Sequence, residues 1–280
     1  MPADDAPTLL FLHIPKAAGT TLHHVLERRY SRDVSYRIDG FRVGQSLRAL
    51  RDLPEEERLA LRVVHGHMPY GIHRDIPRAC TYVTILRDPV ERALSHYYFV
   101  RRTTRHELHD DVVSGRLSLL DYVTGGTRIE MDNGQTRLLS GVDYEVPFGG
   151  MTRDHLDQAT ANLDRDFAVA GLSDRFDETL LLLRRALGWT LYPFYVKKNV
   201  TRRRPLGEAL DDPTRRAIEA CNALDIELHE RVVHRFEEAL ARHRHLDREL
   251  GRFRLLNRLY RGLVGPPSYA WTRLKTLRGK

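Results

Sequence analysis

Residues 9–30 read LLFLHIPKAAGTTLHHVLERRY. The run begins as a continuous apolar strand and breaks at Pro15-Lys16 into small residues and Gly19-Thr20-Thr21. It then resumes with the apolar spacing of a helix. A strand that enters a helix through such a turn leaves the first N–H groups of the helix without intrahelical partners. Those donors, at the positive end of the helix dipole, attract an anion. Ala17, Ala18 and Gly19 would lend backbone N–H groups, Lys16 a point charge, and Thr20 and Thr21 hydroxyl donors. A nucleotide-triphosphate loop, G-x-x-x-x-G-K-[ST], has another order, because here the lysine precedes the glycine.

Outward from this stretch, short β-branched runs at 61–68, 80–86 and 167–172 have the composition of strands covered on both faces. Helical patterns follow them. In RDPVERALSHYYFVRR (87–102) Asp88 can cap, Pro89 fits the first helical position and Glu91 lies in the first turn. Residues 131–140 and 152–165 read as helices, and 174–188 as a helix stopped by Gly188. Between Asp212 and about His245, Ile218, Cys221, Leu224, Leu228, Val232 and Phe236 recur at steps of three and four, which predicts one long helix. Strands alternating with helices imply an α/β fold with a central, mainly parallel sheet flanked by helices and a helical C-terminal region. The domain is expected over residues 8–250. Residues 251–280, basic and carrying Tyr260, Tyr269 and Trp271, are expected to be an appendage able to touch an anionic membrane or to pack as an ordinary helix.

The 280 residues, 41% hydrophobic and 30% charged, suffice for one large core. A formal net charge of +7 favours anionic partners. Cys80 and Cys221, the two cysteines, are expected to be reduced thiols. The N-terminus MPADDAPTLL lacks a basic flank, and no window of about 18 apolar residues occurs, so a signal peptide and a membrane span are not expected and the predicted location is cytoplasmic.

Arg87 is predicted at the carboxyl end of a buried strand, where open α/β sheets bind ligands, with Ser95 about two turns into the next helix. This pair reads as a second anion site, separate from the Lys16 loop. Two such sites suit a nucleoside carrying phosphates at both ends. The fourteen histidines are scattered and offer no metal-ligand spacing; His23-His24 and His243/His245 read as surface groups. Arg101, Arg102 and Arg105 could guide an anion, and Asn133, Gln135 and Arg137 could face an acceptor cleft from a predicted helix.

HIPKAAGTT resembles the 5′-phosphosulfate loop, and RDPVERALSHYYFVR the 3′-phosphate motif, of the carbohydrate sulfotransferases, with the heparan-sulfate 2-O-sulfotransferase-like enzymes as the expected group. VVHGHMPYG (63–71) is similar to that group's His-Gly-His segment, and MDNGQTRLLSG, FAVAGLSDRFDETLLLL and KKNVTRRRP to later blocks, so the likeness spans roughly residues 8 to 205. The resemblance implies a P-loop-like sulfotransferase fold and 3′-phosphoadenosine-5′-phosphosulfate as donor. The transfer of a sulfuryl group to a hydroxyl, of a glycan or glycolipid above all, follows from it. It places Lys16, Thr20 and Thr21 on the 5′-phosphosulfate, Arg87 and Ser95 on the 3′-phosphate, and Asn199, Thr201 and Arg204 near the nucleotide. His67 would be the general base. The chemistry agrees, since a hydroxyl needs a base and imidazole has a suitable pKa. His65 would support His67 through a hydrogen bond or compete for its role, depending on whether Gly66 makes a turn. Lys16 and the loop would stabilise the leaving phosphate without a metal. Two rival readings are a P-loop kinase or hydrolase, which needs Gly-Lys-[ST] and an acidic magnesium ligand, and a basic nucleic-acid-binding module, which the sulfotransferase reading excludes.

Overall fold

TLLFL, residues 8–12, is buried at every position and forms the central strand β1 (Thr8–Leu12) of a parallel sheet. Its only polar member, Thr8, donates its hydroxyl to the Leu61 carbonyl at 2.7 Å, which removes the penalty of burying it. The computed structural model describes residues 6–142, 145–196 and 210–277, with side chains as far as 264. Beside β1 lie β3 (Val63–Gly66) and β4 (Cys80–Leu86), and outside these β2 (Ser35–Ile38) and β5 (Phe167–Leu172), giving the order β2-β3-β1-β4-β5. All four pairings are parallel.

Around the sheet run α1 (Gly19–Arg29), α2 (Val43–Asp52), α3 (Glu55–Ala60), α4 (Pro89–Arg102), α5 (His109–Val113), α6 (Leu119–Thr124), α7 (Gly134–Ser140), α8 (Arg153–Asp166), α9 (Phe176–Ala186), α10 (Asp212–Cys221), α11 (Ala223–Ala241) and α12 (Leu246–Leu277). The main core joins the apolar strands to Leu22, Val25 and Leu26 of α1, the leucines of α9 and the Leu228-Val232-Phe236 face of α11. A smaller core joins α4, α6 and α10 through Val90, Leu94, Tyr122, Val123 and Ile218. The α/β architecture with a parallel sheet is as the sequence predicts.

Three expectations change. Strand β2 was not anticipated: SYRI is a short edge strand, largely uncovered, so it lacks the apolar run of its neighbours. The helix expected from 212 to 245 is two helices, because Asn222, fully buried, turns its side-chain amide onto the carbonyls of Met131 and Ile218 at 2.9 Å and interrupts the ladder. The helix expected over 131–140 begins only at Gly134, after Asn133 adopts a left-handed conformation with φ of 50°. Residue 250, the expected end of the domain, lies inside α12. Past it Phe253 and Asn257 are still buried, and Asn257 accepts the Tyr195 N–H at 2.8 Å. Both cysteines are free thiols of intermediate burial. Among the described residues no helix is long and apolar enough to cross a membrane.

The chain after β1 leaves toward β2 on one side of the sheet, whereas β5 follows β4 on the other side. The carboxyl ends of β1 and β4 therefore flank a topological switch point, the crevice where ligands of open α/β sheets bind.

Candidate active site

The loop from β1 to α1 carries two non-glycine residues at positive φ, Lys16 at 69° and Ala18 at 63°. Such conformations cost on the order of 1 kcal/mol or more each and persist where the surroundings impose them. Ala18 occupies the cap of α1 and offers no capping side chain, so the helix N-terminus opens onto the switch point. Gly19 is required there. A Cβ on it would lie 1.9 Å from Cδ2 and 2.0 Å from Nε2 of His13.

Arg87, just beyond β4, reaches across the crevice and donates from Nη1 to the Lys16 carbonyl at 3.2 Å. Its Nη2 meets Glu91 at 3.2 Å. Gln135 holds its backbone from both sides, accepting the Arg87 N–H at 3.0 Å and donating to its carbonyl at 2.9 Å. Glu91, Ser95 and Phe99 succeed one another at i, i+4 and i+8, hence along one face of α4. Glu91 takes Arg87, and the Phe99 ring takes the Lys16 ammonium 4.1 Å from its centroid. Ser95, half-buried, stands between them. The Lys16 loop and the Arg87–Ser95 pair thus adjoin, with Arg87 reaching the Lys16 carbonyl. Burial, then repulsion from Arg102 and Arg87, lowers the Lys16 pKa from 10.5 to about 8. A bound anion would relieve that repulsion.

Behind the loop lies a cluster that the sequence did not disclose. His67 sits one residue past β3, after Gly66 at φ 149°, which only a glycine adopts beside the Ile38 backbone. The His67 ring stacks on His13 with centroids 4.2 Å apart and planes 23° apart. Its Nδ1 donates to the His13 carbonyl at 2.9 Å, which fixes the tautomer and leaves Nε2 as the basic nitrogen. Nδ1 of His13 is 2.8 Å from Nε2 of His23, and Nδ1 of His23 is 2.6 Å from Nδ1 of His65. Nε2 of His65 faces the Ser35 hydroxyl at 3.4 Å. The nitrogens of these three rings meet in pairs, and do not converge on a common point.

Burial first, and mutual repulsion second, keeps His13 well below 6.5 and lowers His23 to about 2. Burial likewise brings His65 to about 4 and, partly opposed by the bond to the His13 carbonyl, lowers His67. All four rings are therefore neutral at pH 7. His23 is not the surface group expected, being 6% exposed; only His24 is partly exposed, beside Glu27. His65 does not bond to His67 as expected, because its two nitrogens are taken by His23 and Ser35. A signal for His23 existed: Gly19, Leu22, His23 and Leu26 follow the i, i+3, i+4, i+7 stripe of a buried helix face.

The block 131–137 serves the frame and not an acceptor cleft. Asn133, Gln135 and Arg137 are all buried. Asn133 Oδ1 accepts the N–H groups of Leu224 and Asp225 at 2.9 and 3.1 Å and so caps α11. Reciprocally, Asp225 accepts those of Gln135 and Thr136 at 3.0 and 2.7 Å and caps α7. Arg137 is consumed by Asp132 and the carbonyls of Val146 and Pro147. Buried Arg92 rests on Glu130, Asn222 and Asp225. Arg101, Arg102 and Arg105 are exposed, and Arg102 acts on Lys16. Ala17 and Thr21 are buried, whereas Ala18 is exposed and Thr20 half-exposed at the mouth of the loop. Asn199, Thr201 and Arg204 lie outside the described residues.

The galactose-3-O-sulfotransferase family matches residues 2–264. Heparan-sulfate 6-O-sulfotransferase 1 of Cricetulus griseus is 26% identical over 294 residues, covering 89% of this chain and 71% of that protein. Heparan-sulfate 6-O-sulfotransferase 2 of Gallus gallus is 27% identical over 268 residues, covering 79% and 65%. A solved mouse sulfotransferase, SULT7A1 complexed with PAP, aligns at 16% identity and TM-score 0.38 over 68% of this chain and 60% of that one. The likeness is to carbohydrate sulfotransferases, and the 2-O-sulfotransferase group expected from the motifs is not the one matched.

Proposed function

This chain belongs to the galactose-3-O-sulfotransferase family, and we propose that it moves a sulfuryl group from 3′-phosphoadenosine-5′-phosphosulfate to a carbohydrate hydroxyl. The Lys16 ammonium and the uncapped first turn of α1 receive the 5′-phosphosulfate. Arg87 and Ser95 receive the 3′-phosphate. His67 Nε2 takes the acceptor's proton as its oxygen attacks sulfur. The bond from sulfur to the 5′-phosphate oxygen breaks, its electron pair stays on adenosine 3′,5′-bisphosphate, and the added negative charge falls to Lys16 and the loop N–H groups.

The observation that carries this reading is the His67 tautomer. A neutral imidazole, with Nδ1 committed to the His13 carbonyl and Nε2 without a hydrogen-bond partner among the described residues, stands against the anion loop. The family is described by a galactose 3-hydroxyl and the relatives by heparan-sulfate 6-O-transfer, so their common denominator, a sugar hydroxyl, is the acceptor class assigned here. The test is mass spectrometry of galactose-terminated and heparan-type oligosaccharides incubated with the donor in EDTA. The reading expects one sulfuryl mass added per transfer and equimolar adenosine 3′,5′-bisphosphate. Modification that required magnesium and a nucleoside triphosphate would overturn it.

A further inference from the structure

The three buried rings behind the loop present a proton-counting problem. His13, His23 and His65, all neutral, carry three ring protons. The His13–His23 and His23–His65 contacts, at 2.8 and 2.6 Å, each take one. The third must sit at an end of the column, on His65 Nε2 facing Ser35 or on His13 Nε2 at the loop. Placed on His65, it donates to the Ser35 oxygen and leaves a bare lone pair on His13. Placed on His13, it makes Nε2 a donor at the loop, and the Ser35 hydroxyl donates to His65 instead.

His13 Nε2 stands where an anion would use that proton. Its ring edge fills the space a Gly19 side chain would occupy, 2.0 Å from the Cβ position. Cα–Cβ bonds tilt toward a helix N-terminus, so this edge lies on the N-terminal side of the first turn of α1. His13 is only 7% exposed; its Nδ1 is taken by His23, and among the described residues Nε2 makes no hydrogen bond and is not one of the fully buried unpartnered nitrogens, so it keeps contact with solvent. An imidazole held this firmly, with one nitrogen open at the loop, can offer that nitrogen to a ligand.

We propose that His13 binds the donor's 5′-phosphate or phosphosulfate through Nε2–H, and that His23, His65 and Ser35 are positioning residues which place the column's odd proton on that nitrogen when the anion arrives. The proposal rests on the sulfotransferase reading above and deepens it. An anion favours the column with Nε2 protonated, whereas the positive end of α1 alone favours a lone pair there; the ligand selects between the two tautomers. No net proton is taken up, because protons only change ends along the hydrogen bonds. A neutral donor also leaves His67, stacked 4.2 Å away, free of a neighbouring positive charge as it gains a proton.

The test is nitrogen-15 NMR of the imidazoles in the full chain with adenosine 3′,5′-bisphosphate at saturation. The expected spectrum shows His13 protonated at Nε2 and unprotonated at Nδ1; the opposite tautomer in the bound protein overturns the proposal and leaves the transferase reading intact. A variant pair supplies the second readout. His13→Asn keeps a group near Nδ1 for His23 and loses the one near Nε2, and it should weaken adenosine 3′,5′-bisphosphate about tenfold. His13→Gln, whose amide reaches the Nε2 position, should stay within about threefold of the wild type. Equal losses in the two variants count against the proposal. No binding of adenosine 3′,5′-bisphosphate by the wild-type chain would overturn the donor reading itself, and this inference with it.

Discussion

Gly40→Ala isolates the base from the donor loop. Gly40 is exposed, two residues past β2, and the His67 ring rests on it. A methyl group there would lie 2.3 Å from His67 Cδ2 and 3.1 Å from Nε2, whereas ordinary contacts begin near 3.4 Å, so the ring must retreat by about 1.1 Å. His67 cannot do so freely, because its Nδ1 is tied to the His13 carbonyl and its face is stacked on His13. A displacement of about 1 Å at a reacting group costs roughly a hundredfold in rate, equivalent to about 2.7 kcal/mol of barrier. The assay is steady-state sulfuryl transfer, paired with calorimetric binding of adenosine 3′,5′-bisphosphate. Turnover should fall about a hundredfold while donor affinity changes less than threefold. Gly44→Ala is the control: its new methyl meets nothing nearer than 3.8 Å, and the activity should be unchanged. Turnover of Gly40→Ala within twofold of the wild type would refute the placement of the base.

Arg87→Ala removes a charge-assisted contact of about 1.5–3 kcal/mol and should weaken adenosine 3′,5′-bisphosphate roughly ten- to hundredfold by calorimetry, the 5′-phosphate of adenosine being affected less. Because the Lys16 pKa stands near 8 in place of 10.5, its charge is lost as pH rises through 8 in the free protein, and donor affinity should decline above that pH. Lys16→Arg, charged throughout, should abolish that decline; by the same shift, folding stability should rise from pH 8 to about 10.5, where only the unfolded chain holds the proton. His67, held below 6.5, should impose an acid limb on kcat/KM under that pH, with activity lost as pH falls. Asp225→Ala uncaps α7 and leaves buried Arg92 without its carboxylate, so urea denaturation should show a loss of about 3–5 kcal/mol.

The parts of this molecule legible in the sequence are those where one local rule acts alone. Strands β1, β4 and β5 are mostly buried and read as short apolar and β-branched runs, and Asp88-Pro89 announces α4 by its cap. Lys16, Arg87 and Ser95 could be named because loop and helix chemistry follow strand ends. Tertiary pairing hid the rest. Asn133 and Asp225 cap each other's helices across 92 residues of chain, so polar side chains that read as cleft-facing are spent on backbone donors. The helix break at Asn222 is set by the Met131 carbonyl and leaves the apolar period on either side undisturbed. His13, at a strand end, and His23, on a helix face, meet only after β1 and α1 fold against β3. His23 was still discoverable, because its place on the buried stripe of α1 excludes solvent. Its partners were not.

The most direct measurement of the central claim is the single-turnover rate of sulfuryl transfer with donor prebound and acceptor in excess, compared between the wild type and His67→Ala. The structure predicts a chemical step slower by about a hundred- to ten-thousandfold in the variant, with the donor still bound at near wild-type affinity. An unchanged single-turnover rate in His67→Ala would contradict it.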